Sequence, residues 1–386
     1  MFEYFPNNYV WNLSVNLALA AGATMGEVDR ACRPLLEAAA RGADAGTEAF
    51  FAAWCAVGDQ LTALAKVDEA AGRKLTAGEK YGRAAMYYLT AERMVHHNNT
   101  ARKKIYALML ECFQHYMTLT RQPAKRVEIP YKGGVIAGYL HHAESVRGPT
   151  PCAVFLNGLD SIKEMTYRIG LGQALAKRGV ATLFIDQPGT GEALRLHKLT
   201  AVIEVEQWAS VVVDYLQTRE KSIDPERIGI SGWSMAGYYA PRAAAFEPRF
   251  KFCVAFGAQY DFGDVQRKRL AQTAQNPVPH YWDHVQWVWG QDSRDAWIDY
   301  STGITLRGIL DRIKVPTLVV HGENDRQINV SYAQALFNDL VNAPKKELKI
   351  FRVTDGGIEH CGADAIDNPR DYIADWIAEV IGGHTA

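Results

Sequence analysis

Beyond Gln122-Pro123 the apolar residues stop recurring at intervals of three and four and gather into short β-branched or aromatic runs, each closed by Gly, Asp or Pro. Eight such runs occur, at 126–130, 135–141, 152–156, 181–185, 227–230, 252–256, 317–320 and 348–353. Amphipathic stretches, among them 167–178 and 202–218, separate most of the later ones. Apolar strands alternating with helices predict an α/β fold: a mostly parallel eight-stranded sheet with helices on both faces. The first two runs have no helix between them and predict an antiparallel edge.

Upstream, from Trp11 to about Arg121, the chain is rich in Ala, Leu, Glu and Arg, and its apolar spacing is helical. An all-helical N-terminal domain over 1–122 is therefore expected, ahead of an α/β domain over 123–386. Predicted helices cover 27–41, 47–73, 79–97 and 100–120. Thr24-Met-Gly-Glu27 and Thr76-Ala-Gly-Glu79 carry the capping-box pattern, in which hydroxyl and carboxylate satisfy orphan backbone donors, and so mark two helix starts. Tyr81, Ala84, Ala85, Tyr88 and Ala91 make a small-and-aromatic face suited to helix packing.

With 48% hydrophobic and 22% charged residues the composition is that of a globular protein, and a net charge of −1 offers no field to attract nucleic acid. The six cysteines show no CxxC pair and read as reduced, buried thiols. The apolar stretch VNLALAAGA resembles a signal-peptide core, but no Lys or Arg precedes it and it is too short to span a bilayer. A cytoplasmic location without membrane contact is the expectation. Whether the chain works alone or as a homodimer is left open.

In an open α/β sheet, ligands collect at the carboxyl ends of the strands. Ser234 stands at such an end: the run at 227–230 leads into Gly232-Trp-Ser-Met-Ala236 and then a helical stretch, the strand, sharp turn and helix of a nucleophile elbow. Gly232 and Ala236 supply the small neighbours the turn needs, with Gly237 one place later than a strict GxSxG. Asp325 follows the run at 317–320, and His360 lies in the loop after the run at 348–353. Ser, Asp, His is the chain order of this elbow fold. An imidazole is the side chain that can take the serine proton near neutrality, and a carboxylate on its far nitrogen fixes the tautomer. The oxyanion then needs backbone donors, expected from Met235 and from Leu159 in the loop Asn157-Gly-Leu-Asp160. Cys361, beside His360, has no elbow and reads as a packed thiol. Asp186-Gln-Pro-Gly-Thr-Gly191 has the wrong spacing for a phosphate loop and reads as a tight strand-to-helix turn near the site.

EYFPNNYVWNLSVNLALA, FLNGLDS, DQPGTGE, GWSMAGYYAPR and HGENDRQI together resemble the group of α/β-hydrolases that includes 2,6-dihydroxypseudooxynicotine hydrolase and, more distantly, fungal hydrolases that shorten polyketides. That resemblance spans nearly the whole chain. It implies an α/β-hydrolase fold behind a helical cap domain, and cleavage of a carbon–carbon bond next to a carbonyl by Ser234, His360 and Asp325, without metal or organic cofactor. It also implies an acidic residue assisting the substrate, for which Asp261 and Asp264 are the candidate positions. A carboxylesterase or thioesterase is the same-class alternative, since one triad serves any acyl carbon. A non-catalytic ligand-binding descendant is a third reading, though such proteins usually lack a triad residue.

About sixty residues separate the runs at 252–256 and 317–320, long enough to form a functional insertion, at about 260–313. It is rich in Trp and Tyr, suggesting an apolar pocket for a flat small-molecule substrate, closed by the helical domain. Asp160, Trp233, Trp282 and Trp287 are the residues expected to contact that substrate.

Overall fold

The computed structural model describes residues 1–144 and 146–384. Met1–Pro123 with Gln275–His284 form one compact unit, and Ala124–Ala274 with the chain from Val285 onward form the other. In the first, helices Thr47–Ala70, Lys74–Met94 and Thr100–Leu119 pack in succession. Gly58 makes this packing close, because a Cβ there would lie 2.6 Å from the Tyr88 ring. Trp11, Phe50, Trp54 and Tyr87 follow one another in ring contact at 5.0 to 5.7 Å and are fully buried.

Two helix starts differ from the capping-box reading. Thr24 is the N-cap of the helix Met25–Cys32, as its pattern predicts, but its side chain makes no cap bond, and the Glu27 carboxylate is turned to Arg83 and to the Tyr87 hydroxyl at 2.6 Å. Thr76 lies inside a helix that already begins at Lys74. The single helix expected over 27–41 is broken at Arg33–Leu35, where Pro34 stands in a short 3₁₀ turn.

The second unit holds one eight-stranded sheet: β1 (Ala124–Tyr131), β2 (Gly134–His141), β3 (Thr150–Leu156), β4 (Ala181–Ile185), β5 (Ile223–Trp233), β6 (Cys253–Phe256), β7 (Thr317–Gly322) and β8 (Lys346–Phe351), in the order β1-β2-β4-β3-β5-β6-β7-β8. β1 and β2 pair antiparallel with each other, β2 pairs antiparallel with β4, and every later pair is parallel. β3, β4, β6 and β7 are buried along their whole length, which is why they read as unbroken apolar runs. The amphipathic stretch at 167–178 is two short helices, Lys163–Arg168 and Leu171–Ala176, because Gly170 sits between them at φ +93°. Register aligns Leu156 with Gly232 and Trp233 with Phe256, so the loops after β3, β5 and β6 leave the sheet side by side.

Candidate active site

β5 ends at Trp233 and a helix begins at Ala236, leaving two residues to reverse the chain. Ser234 makes that turn at φ +57°, a left-handed conformation that costs a non-glycine residue about 1–3 kcal/mol and persists because its surroundings enforce it. Ser234 N–H donates to the Phe256 carbonyl at 2.7 Å, and Gly237 N–H donates to the Ser234 carbonyl at 2.8 Å. A Cβ on Gly232 would stand 2.4 Å from the Ala236 Cβ, and one on Gly237 would stand 2.2 Å from the Gly257 carbonyl oxygen. The late glycine of the motif is thus required by the neighbouring strand.

Ser234 Oγ lies 2.8 Å from His360 Nε2, and His360 Nδ1 lies 2.8 Å from Asp325 Oδ2. Nδ1 donates to the carboxylate, so Nε2 is left to accept the serine proton. Asp325 is held in turn, its Oδ1 accepting from the N–H groups of Gln327 and Ile328 at 2.9 and 3.0 Å. Burial works to raise the Asp325 pKa, and His360, His321 and the Ile328 N–H overcome it, leaving the carboxyl below its ordinary range. Burial likewise opposes charge on His360, but the adjacent Asp325 outweighs it and raises the imidazole.

The loops that present these groups carry internal ties which the sequence reading missed. Asp364 accepts three successive backbone N–H groups, from Gly357, Ile358 and Glu359, at 2.8 to 3.2 Å, and so shapes the turn before His360. Glu359 joins that loop to the one after β7 through Asn324 at 2.8 Å and Arg326 at 3.2 Å. His321, fully buried, accepts the Ala258 N–H on Nδ1 and donates from Nε2 to the Ile328 carbonyl at 2.8 Å, linking the loops after β6 and β7. A carboxylate four residues past the candidate histidine is a signal that could have pointed to Asp364.

The loop after β3 runs against the nucleophile: a Cβ on Gly158 would lie 2.9 Å from the Ser234 Cβ. Leu159 and Met235 are both buried beside this contact in sequence. Trp233 is 4% exposed, and its indole N–H donates to Ser161 Oγ at 3.0 Å, the oxygen that also accepts the Gly158 N–H at 2.8 Å. Through that bond the indole braces the loop. Asp160 is half-buried.

Within the insertion, Trp289 and Trp297 are buried, in contact with each other at 5.8 Å and with Tyr300. They are core. Trp287 is half-buried with the Arg195 guanidinium 5.5 Å from its ring, whereas Trp282 lies in the segment Gln275–His284 grouped with the helices. Asp261 caps the helix Phe262–Leu270 and pairs with Arg307 at 2.8 Å; Asp264 binds the Tyr332 hydroxyl and Lys268. Each candidate acid thus has a structural partner. Cys361 Sγ is buried 3.7 Å from His360 Nε2, and burial pushes its pKa up. No helix among the described residues is long and apolar enough to cross a membrane.

The family model described as "Esterase FrsA-like" matches residues 48–278. The 2,6-dihydropseudooxynicotine hydrolase of Paenarthrobacter nicotinovorans is 28% identical over 86% of this chain and 84% of its own. A 20-hydroxy-prefusarin hydrolase of Gibberella moniliformis is 29% identical over 74% of this chain and 75% of its own. The crystal structure of the 2,6-dihydroxy-pseudo-oxynicotine hydrolase superposes with a TM-score of 0.75 at 26% identity, covering 95% of each chain.

Proposed function

The chain belongs to the FrsA-like esterase family of α/β-hydrolases, and on that footing we propose that this hydrolase uses Ser234 to cleave a carbon–carbon bond beside a carbonyl in an aryl-ketone or polyketide-like substrate. The observation that carries the reading is the continuous relay Ser234 Oγ, His360, Asp325, with both links at 2.8 Å. Ser234 Oγ attacks the carbonyl carbon as His360 Nε2 takes its proton, and Asp325 stabilises the imidazolium. The backbone N–H groups of Met235 and Leu159 receive the oxyanion. Collapse of that intermediate breaks the bond to the departing carbon, which takes the electron pair and then the proton held by His360. The remaining acyl group sits on Ser234 as an ester. Water, deprotonated by His360, releases the acid and restores the serine. A carbon leaving group must spread its electrons into a ring or a second carbonyl, so the substrate is an activated ketone. The similarity to 2,6-dihydropseudooxynicotine hydrolase and to 20-hydroxy-prefusarin hydrolase supports that bond type.

Ester cleavage is the second reading, favoured by the family's esterase description. It uses the same relay, with an oxygen leaving group that needs no delocalisation. A substrate panel separates the two: β-diketones and dihydroxyaryl ketones should show far higher kcat/KM than simple p-nitrophenyl esters. Activated ketones left intact while aromatic esters turn over would overturn the carbon–carbon assignment. A fluorophosphonate probe that labels Ser234→Ala as well as wild type would remove Ser234 from the chemistry altogether.

A further inference from the structure

Beneath the loop from Asn157 to Asp160 lies a group of buried charges outside the relay. Lys163 opens the helix after that loop, and its side chain is fully buried. Its Nζ donates to Asp186 Oδ2 at 2.9 Å and to Glu192 Oε1 at 2.5 Å, and stands 2.6 Å from Glu164 Oε1. Arg126, from β1, closes the other side of Glu192 with two bonds of 2.7 Å. Tyr139, from β2, presents its ring 5.5 Å from the same ammonium.

Asp186 connects this cluster to the loop. Its Oδ1 accepts from Asn157 Nδ2 at 3.2 Å and from Lys163 N–H at 2.9 Å, and its Oδ2 also accepts the Glu192 N–H at 2.9 Å. Asn157 is tied further to Gln187, which donates to its carbonyl at 2.7 Å and accepts its N–H at 3.1 Å. The loop that approaches Ser234 therefore rests on Asp186, and Asp186 rests on Lys163.

Two cations face three carboxylates here, so full ionisation would leave an excess negative charge beside Lys163 and Glu164, both without exposure, at a cost of several kcal/mol. Asp186 and Glu192 each collect several hydrogen bonds. Glu164 has the Lys163 ammonium, 2.6 Å from Oε1 and shared with both other carboxylates, and no second donor at either oxygen. A carboxyl so placed is the one that keeps its proton. Burial raises Glu164 to about 7, against the pull of Lys163 and with Asp186 and Glu192 adding, whereas Glu192, despite its own burial, is held down to about 2 by Arg126 and Lys163.

We propose that Glu164 is a positioning residue for the oxyanion loop: protonated, it leaves the Lys163 ammonium to Asp186 and Glu192, and ionised, it draws that ammonium away and sets a negative charge under the oxyanion donors. This rests on the reading that the loop supplies such a donor. The charged and titratable groups facing Glu164 are Lys163 on its own helix, Asp186 and Glu192 from the turn and helix after β4, Tyr139 from β2 and, through Glu192, Arg126 from β1. Deprotonation comes with rising pH, so the device limits activity on the alkaline side.

The test compares wild type with Glu164→Gln, and with Glu164→Leu should the glutamine variant not fold, by turnover and by fluorophosphonate labelling from about pH 6 to about pH 9. The ratio of variant to wild-type rate should rise about tenfold across that range, less than the ~10²–10³ for outright loss of an oxyanion donor. A purely structural role would move the ratio at every pH alike. A flat ratio in a labelled, folded enzyme overturns the inference alone; wild type unlabelled at every pH overturns the assignment of Ser234 and this inference with it.

Discussion

Replacing Asp325 by asparagine exchanges one oxygen for one NH₂ group, and the surroundings dictate which. Oδ1 receives the N–H groups of Gln327 and Ile328, so the amide must keep its oxygen there and turn its NH₂ toward His360 Nδ1. That nitrogen is then obliged to accept, the ring proton moves to Nε2, and it points at Ser234 Oγ instead of leaving room for the serine proton. The productive tautomer returns only if the amide flips, setting its NH₂ against two backbone donors. At about 1–3 kcal/mol for each buried hydrogen bond lost, the flip costs about 2–6 kcal/mol, which is roughly 30-fold to 10⁴-fold in rate. Loss of the carboxylate that stabilises the imidazolium adds to this, so kcat should fall by about 10⁴. The assay is kcat on the best ketone or ester of the panel, with the labelling rate of Ser234 beside it and a thermal melt to show that the variant is folded. A folded Asp325→Asn enzyme that keeps kcat within about tenfold of wild type would refute the tautomer argument.

Gly191→Ala should destabilise the fold by about 3–5 kcal/mol, since its φ is +41° and the new Cβ would fall 1.9 Å from the Asp186 carboxylate; a denaturation midpoint equal to that of wild type would show that the turn gives way more easily than its packing suggests. Trp233→Phe keeps an aromatic ring but removes the donor to Ser161, and is expected to cost about 1–2 kcal/mol of stability and to lower kcat with KM little changed. A raised KM at constant kcat would instead support the substrate-contact role expected of Trp233 from the sequence.

Much of the architecture was legible because the sheet's central strands are buried on both faces and so appear as apolar runs with abrupt ends. Ser234, Asp325 and His360 come from the segments that follow β5, β7 and β8, and the structure brings them together. Less legible were features that depend on partners distant in the chain. Lys163 and Glu164 look like the solvated start of a helix, yet both are fully buried, since their neutralising partners come from Asp186 and Glu192 some twenty to thirty residues on. Thr24 does stand at a helix N-cap, but the carboxylate of its box is turned to Arg83 and Tyr87 on another helix. Local patterns report local bonds, and these residues chose distant ones. The indole of Trp233 belongs to the same class, because nothing beside it in the sequence announces Ser161.

The turn folded around Asp364 has a bearing on how such a protein could change over generations. Three backbone groups take their shape from that one carboxylate, and none of them needs His360, Asp325 or Ser234 to do so. The frame of the site is thus inherited separately from the groups that fill it. A lineage that lost its serine would keep the same loops standing at the same strand ends, and natural selection would find there a finished receptor with no reaction attached. In this fold, catalyst and silent binder are neighbours a single codon apart.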